Sequence, residues 1–153
     1  MNFDRIRHIR EEMELTQKEV AEMLNIKRSA YSLWEINKNV IPLIKLNQFC
    51  NTFSLSLDYI ANLSNIKNRD LNYIDIDTKE VGKRLKQIRK ELKITQEKLA
   101  SRFNTTHSAI SAYENGITLI PTLFLVEFSK MSNVSLDWFC GKTDCKNILK
   151  QKN

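Results

Sequence analysis

The residues able to do covalent or metal chemistry are few in this chain. Its 153 residues include three cysteines, two histidines and three glycines. Cys140 and Cys145 are separated by four residues, Cys50 stands far from both, and no second cluster lies nearby. That is no zinc-ligand spacing, and reduced thiols of a cytoplasmic protein are the expectation. His8 and His107 belong to no zinc-binding His-Glu-x-x-His motif, and no serine sits in a Gly-x-Ser-x-Gly elbow. Gly82, Gly116 and Gly141 are too scattered to cradle a phosphate. We therefore expect no enzyme, no catalytic residue, no metal ion and no cofactor. What remains is non-covalent chemistry. There are 24 Lys and Arg against 18 Asp and Glu, with a pI near 9.3. Such a balance is compatible with a nucleic-acid partner, although many basic proteins bind none.

The elements that must position these groups come in two copies. Displaced by 79 residues, the chain aligns on itself without a gap. Thr16-Gln17 matches Thr95-Gln96, Ala21 matches Ala100, and Ser29, Ser32 and Glu35 match Ser108, Ser111 and Glu114. The match runs on through Pro42/Pro121 to Ser56-Leu57-Asp58 against Ser135-Leu136-Asp137. An ungapped repeat of this length means one fold built twice, each unit long enough for its own core.

Each unit reads as five short helices. Val81, Leu85, Ile88 and Leu92 recur at helical spacing. Thr16 with Glu19 forms a capping box, and Thr95, Thr106, Ser56 and Ser135 are further N-cap candidates. Pro42 and Pro121 suit the first turn of a fourth helix. Gly116 and Asn37 stand where the third helix must stop, a place that favours positive φ. Small Ala21 and Ala100 let the second and third helices approach. Tyr31/Ile110 and Trp34/Tyr113 face inward from the third helix, whose other face stays free.

With these motifs in view, "ITQEKLASRFNTTHSAISAYENG" resembles the Cro/XRE-type, lambda-repressor-like helix-turn-helix of bacterial and phage regulators. The resemblance covers about four-fifths of the chain. It implies an all-α fold of two tandem five-helix domains, residues 1–65 and 80–145, with a linker at 66–79 and a basic tail at 146–153. It also implies a third helix that enters the major groove of double-stranded DNA. By position, unit one then presents Lys27, Arg28, Ser29 and Leu33 to DNA, with Gln17 and Lys38 at the phosphates. Unit two presents Thr106, His107, Ser108 and Ala112, with Gln96 at the phosphates. Arg10 with Glu35, and Arg89 with Glu114, are expected as structural ion pairs.

The expected function is sequence-specific transcription regulation, as a repressor. The rival is a protein-interaction regulator of antitoxin or anti-regulator type, in which a unit binds a partner protein. Unit one up to Asn68 has nine basic and eight acidic residues, while unit two from Glu80 has thirteen and seven. Arg28 can bond guanine bidentately and Leu33 can pack on a thymine methyl, whereas His107, Ser108 and Ala112 make a smaller reading face. Phe124 and Val126 replace Lys45 and Asn47, which predicts a domain–domain or homodimer interface. No apolar run is long enough for a membrane span.

Overall fold

The computed structural model of the protein describes residues 2–151; Met1, Lys152 and Asn153, the extreme ends of the expected first domain and basic tail, lie outside the described residues. Unit one comprises α1 (Asp4–Glu12), α2 (Gln17–Met23), α3 (Arg28–Glu35), α4 (Leu43–Thr52) and α5 (Leu57–Ile60). Unit two repeats the order with α6 (Thr78–Glu91), α7 (Gln96–Arg102), α8 (His107–Glu114), α9 (Thr122–Ser132) and α10 (Leu136–Phe139). Among the described residues the only β pairing is an isolated bridge between Val134 and Asn147. The fold is all-α and tandem.

Local chemistry explains where the helices begin. The Thr16 hydroxyl accepts from Glu19 N, while the Glu19 carboxylate accepts from Thr16 N, closing the capping box. Thr95, Thr106, Ser56 and Ser135 each accept one backbone N–H of the turn they open. Pro42 and Pro121 sit one residue earlier than expected, at the N-cap with extended ψ of 143° and 141°.

The two units differ at their first helix. In unit one, Asn37 has φ of 57°, and its side chain accepts from Phe3 N at 2.9 Å and donates to Asp4 Oδ1 at 3.0 Å. The residue that ends α3 thus caps α1. In unit two, α6 starts earlier and passes close over the end of α8. A Cβ at Gly82 would stand 2.1 Å from Tyr113 O, and one at Gly116, φ 69°, would stand 2.7 Å from Lys79 Cα. Glycine at both places permits the crossing, and Asp77 caps α6 instead, accepting from Lys79 N and Glu80 N.

The units are joined by a seam with approximate two-fold symmetry. Asp137 accepts from Ser56 Oγ at 2.6 Å and Leu57 N at 2.8 Å. Reciprocally, Asp58 accepts from Ser135 Oγ at 2.5 Å and Leu136 N at 2.7 Å. Each Ser-Leu-Asp motif therefore caps the short last helix of the other unit. Both carboxylates are buried. Burial, then the neighbouring Asp137 charge, pushes the Asp58 carboxyl up to about 7. Thr122 Oγ1 donates to Ile41 O at 2.6 Å across the same seam. Cys50 and Cys140 are free and buried, and the apolar core runs through both units as one cluster.

The segment between α5 and α6 is extended and docked. Ile74 O accepts from Asn47 and Asn51 of α4, Asn72 N donates to Lys142 O, and Arg69 Nη1 lies 3.5 Å from Asp58 Oδ2. The repeat persists into it: Ser56 N donates to Lys67 O, as Ser135 N does to Lys146 O. Lys67 pairs with Glu12, as Lys146 does with Glu91. Beyond Lys146 the chain crosses to unit one, where Ser64 Oγ donates to Leu149 O.

Candidate nucleic-acid interface

In each unit the second and third helices are held at a tight turn. Asn25 and Asn104 take positive φ of 53° there, and buried Ala21 and Ala100 accept from Ile26 N and Thr105 N through their carbonyls. Val20, Leu24, Tyr31 and Trp34 bury the inner face of this pair in unit one, and Leu99 and Ile110 do so in unit two. The first residues of α3 and α8 are thereby left on the outside.

One buried glutamate anchors each outer helix. Arg10 Nε donates to Glu35 Oε1 at 2.6 Å, and its Nη2 reaches Oε2 at 3.1 Å. Arg89 Nε donates to Glu114 Oε1 at 2.6 Å. The same arginines donate to Leu15 O and Ile94 O, so first helix, following turn and third helix are tied together. Burial opposes the Glu35 charge, but hydrogen bonds from Arg10 and Gln17 outweigh it and hold its carboxyl below the ordinary range. Gln17 Nε2 donates to Glu35 Oε2 at 2.9 Å, and Gln96 Nε2 to Glu114 Oε2 at 2.8 Å. Each glutamine is thus half-buried, its amide nitrogen turned inward onto the glutamate.

Lys27, Arg28, Ser29 and Lys38 are exposed on unit one, with Leu33 half-buried beside them. Lys27 occupies the N-cap of α3 without a capping side chain. On unit two, Thr106, His107 and Ser108 are exposed and Ala112 is half-buried. Thr106 spends its hydroxyl on Ala109 N. His107 Nε2 lies 2.7 Å from Gln96 Oε1. That contact joins residues eleven apart on different helices, so only the fold reveals it.

The ring of Phe124 is packed in an aromatic cluster of its own unit. It packs on Phe103, with centroids 4.6 Å apart, and on Tyr113 and Phe128, all of its own unit. Its counterpart Lys45 likewise turns to its own second helix, donating to Leu24 O. Residues 24 and 103 are equivalent, so a polar tether in one unit has become an aromatic contact in the other. Val126 is fully buried, while its counterpart Asn47 bonds the connecting segment.

A further feature escaped the sequence reading. Ile36, Val40 and Ile117, in the loops directly after α3 and α8, are 56%, 50% and 77% exposed. Their loops approach one another at the seam, where Val40, Pro42, Leu119 and Pro121 line a shallow apolar depression. Isoleucine in a polar loop is the signal that could have marked it.

Two five-helix units, each presenting the free face of a helix-turn-helix, define the class of protein. The chain belongs to the Helix-turn-helix family of Cro/C1 type: the family model matches twice, over residues 6–60 and 85–139. No curated protein and no solved structure matches the chain. Membership makes it a DNA-binding helix-turn-helix regulator of transcription. Among the described residues no helix is long and apolar enough to cross a membrane.

Proposed function

We propose that the chain is a sequence-specific repressor that places α3 and α8 in successive major grooves of one double-stranded site. The observation that carries this is the pairing of two exposed helix starts, Lys27-Arg28-Ser29 and Thr106-His107-Ser108, on units locked by a two-fold seam. Helix-turn-helix dimers read half-sites about 34 Å apart, one turn of DNA. Here one covalent chain supplies both readers, so no second protomer has to be recruited. The faces are unlike, so the operator is asymmetric. Arg28 reads guanine in one half and Leu33 touches a thymine methyl. Lys27 and Lys38 neutralise phosphates. Repression follows from occlusion of a promoter in the cytoplasm, without a cofactor.

A second reading has its own support. The exposed Ile36, Val40 and Ile117 offer apolar surface of the kind that meets a protein partner. Salt separates the two, because phosphate contacts weaken steeply as salt rises and an apolar interface does not.

The test is selection of sites from random duplex DNA at near-physiological salt, repeated with Arg28→Ala and His107→Ala. A bipartite asymmetric site, degraded in a different half by each variant, is the expected result. Absence of any enriched sequence would overturn the reading and leave the protein-partner alternative.

A further inference from the structure

The polar chain behind the second reading helix has a direction that can be worked out from one end. Arg89 only donates, and the Glu114 carboxylate only accepts. Glu114 Oε2 therefore takes its 2.8 Å contact from an N–H of Gln96, which fixes that amide with Nε2 inward and Oε1 outward. Oε1 is an acceptor only, and it stands 2.7 Å from His107 Nε2. The proton of the neutral imidazole must then lie on Nε2. Glu97 Oε1, 3.7 Å from the same nitrogen, adds a second acceptor on that side. Nδ1 is left as a bare lone pair, on a side chain 53% exposed at the first residue of α8.

Resting on the DNA-reading function above, we propose that His107 is the specificity-determining residue of unit two. Held as the Nε2–H tautomer by Arg89, Glu114 and Gln96, it presents Nδ1 as an acceptor. It thereby selects a base with an exocyclic amino group in the major groove, adenine N6 or cytosine N4, and rejects the acceptor edge of guanine. Its counterpart in the repeat is Arg28, which has donors only and selects guanine. The two half-sites are asked for opposite hydrogen-bonding edges by equivalent positions of one fold. In unit one there is no tautomer to fix: Gln17 Nε2 likewise bonds Glu35, and the exposed Arg28 carries donors only.

Two measurements separate this proposal from the reading it rests on. Long-range ¹H–¹⁵N imidazole spectra of the full chain carrying His8→Gln, taken at alkaline pH without DNA, are expected to show one Nε2–H ring. Gln96→Leu should release it into exchanging tautomers. An Nδ1–H ring, or exchange already in the parent, overturns the proposal whatever the DNA result. Site selection should then give adenine or cytosine over guanine by about tenfold at one position of the unit-two half-site. His107→Ala should erase that preference, and His107→Arg should move it to guanine, with the unit-one half-site unchanged. Guanine in the parent, or no preference at that position while the other half-site is enriched, overturns His107 as the selector but leaves DNA reading intact. No enrichment in either half overturns both.

Discussion

Unit one and unit two place unlike residues at the same point of the same fold. Phe3 and Gly82 are equivalent positions, and both are buried. In unit one a phenylalanine fills the space before a short α1, and Asn37 caps that helix from across the domain. In unit two a longer α6 occupies the space with its own backbone, and glycine is required where it passes α8. The difference shows how a repeat keeps its architecture while changing its local solution. One unit fills the volume with a side chain, the other with an extra helical turn.

The largest expected effect tests that exchange. Gly82→Ala sets a methyl 2.1 Å from a backbone carbonyl, which cannot move without shifting α8. We expect a loss of about 3 kcal/mol or more in urea unfolding. Phe3→Ala, which empties the equivalent space, should cost about 3–5 kcal/mol through the cavity it leaves. Tolerance of Gly82→Ala would show that α6 and α8 are not held in this close crossing.

The seam is where the two units are alike, and it gives the next effect. Asp137→Ala strips acceptors from buried Ser56 Oγ and Leu57 N, and we expect a cost of about 2–4 kcal/mol. With one core through both units, the parent should unfold in a single transition and this variant in a broader or split one. Two independent transitions in the parent would contradict a shared core.

The seam also has a pH signature. Asp58 holds its proton more tightly in the native state than in the unfolded chain, its carboxyl lying at about 7 against an ordinary 3.8. Across that window the native state binds more protons, so stability falls as pH rises through it. Asp58→Asn should flatten this slope. Glu35 acts in the opposite sense: its lowered carboxyl contributes stability at neutral pH that is lost as pH falls below the ordinary glutamate range. Chemical denaturation of parent and Asp58→Asn from about pH 3 to 8 separates the two. An unchanged slope in Asp58→Asn would remove the seam as its source.

Much of this was legible in the sequence, for a physical reason. Caps, core faces and the repeat are local: a threonine three residues before a glutamate, or apolar residues three and four apart, carry their meaning in their spacing. The Ser-Leu-Asp motif is visible too, but its spacing marks the serines only as caps of their own helices. Each aspartate finds its partners about eighty residues away, and no periodicity encodes that. Phe124 is a related case. A change from lysine to phenylalanine signals new burial without saying against what, and the answer is Phe103 at the position of Leu24. Residue positions on the candidate reading face follow from the repeat, yet the Gln96–His107 contact depends on the angle between two helices.

The smallest effect sharpens the comparison most cleanly, because it involves a single exposed position in each unit. Thr16 takes part in two reciprocal bonds with Glu19, whereas residue 98 in unit two is lysine and Thr95 makes only one. Thr16→Ala removes a hydroxyl acceptor and also loosens the returning carboxylate, so its cost should be about 1–2 kcal/mol. Thr95→Ala loses a single cap bond and should cost about 1 kcal/mol or less. Lys98→Glu would install the missing half of the box, and the same unfolding measurement should then show Thr95→Ala costing as much as Thr16→Ala. If instead the added glutamate leaves the Thr95→Ala cost unchanged, the difference between the units at this helix start lies in the surrounding charge and not in the reciprocal bond.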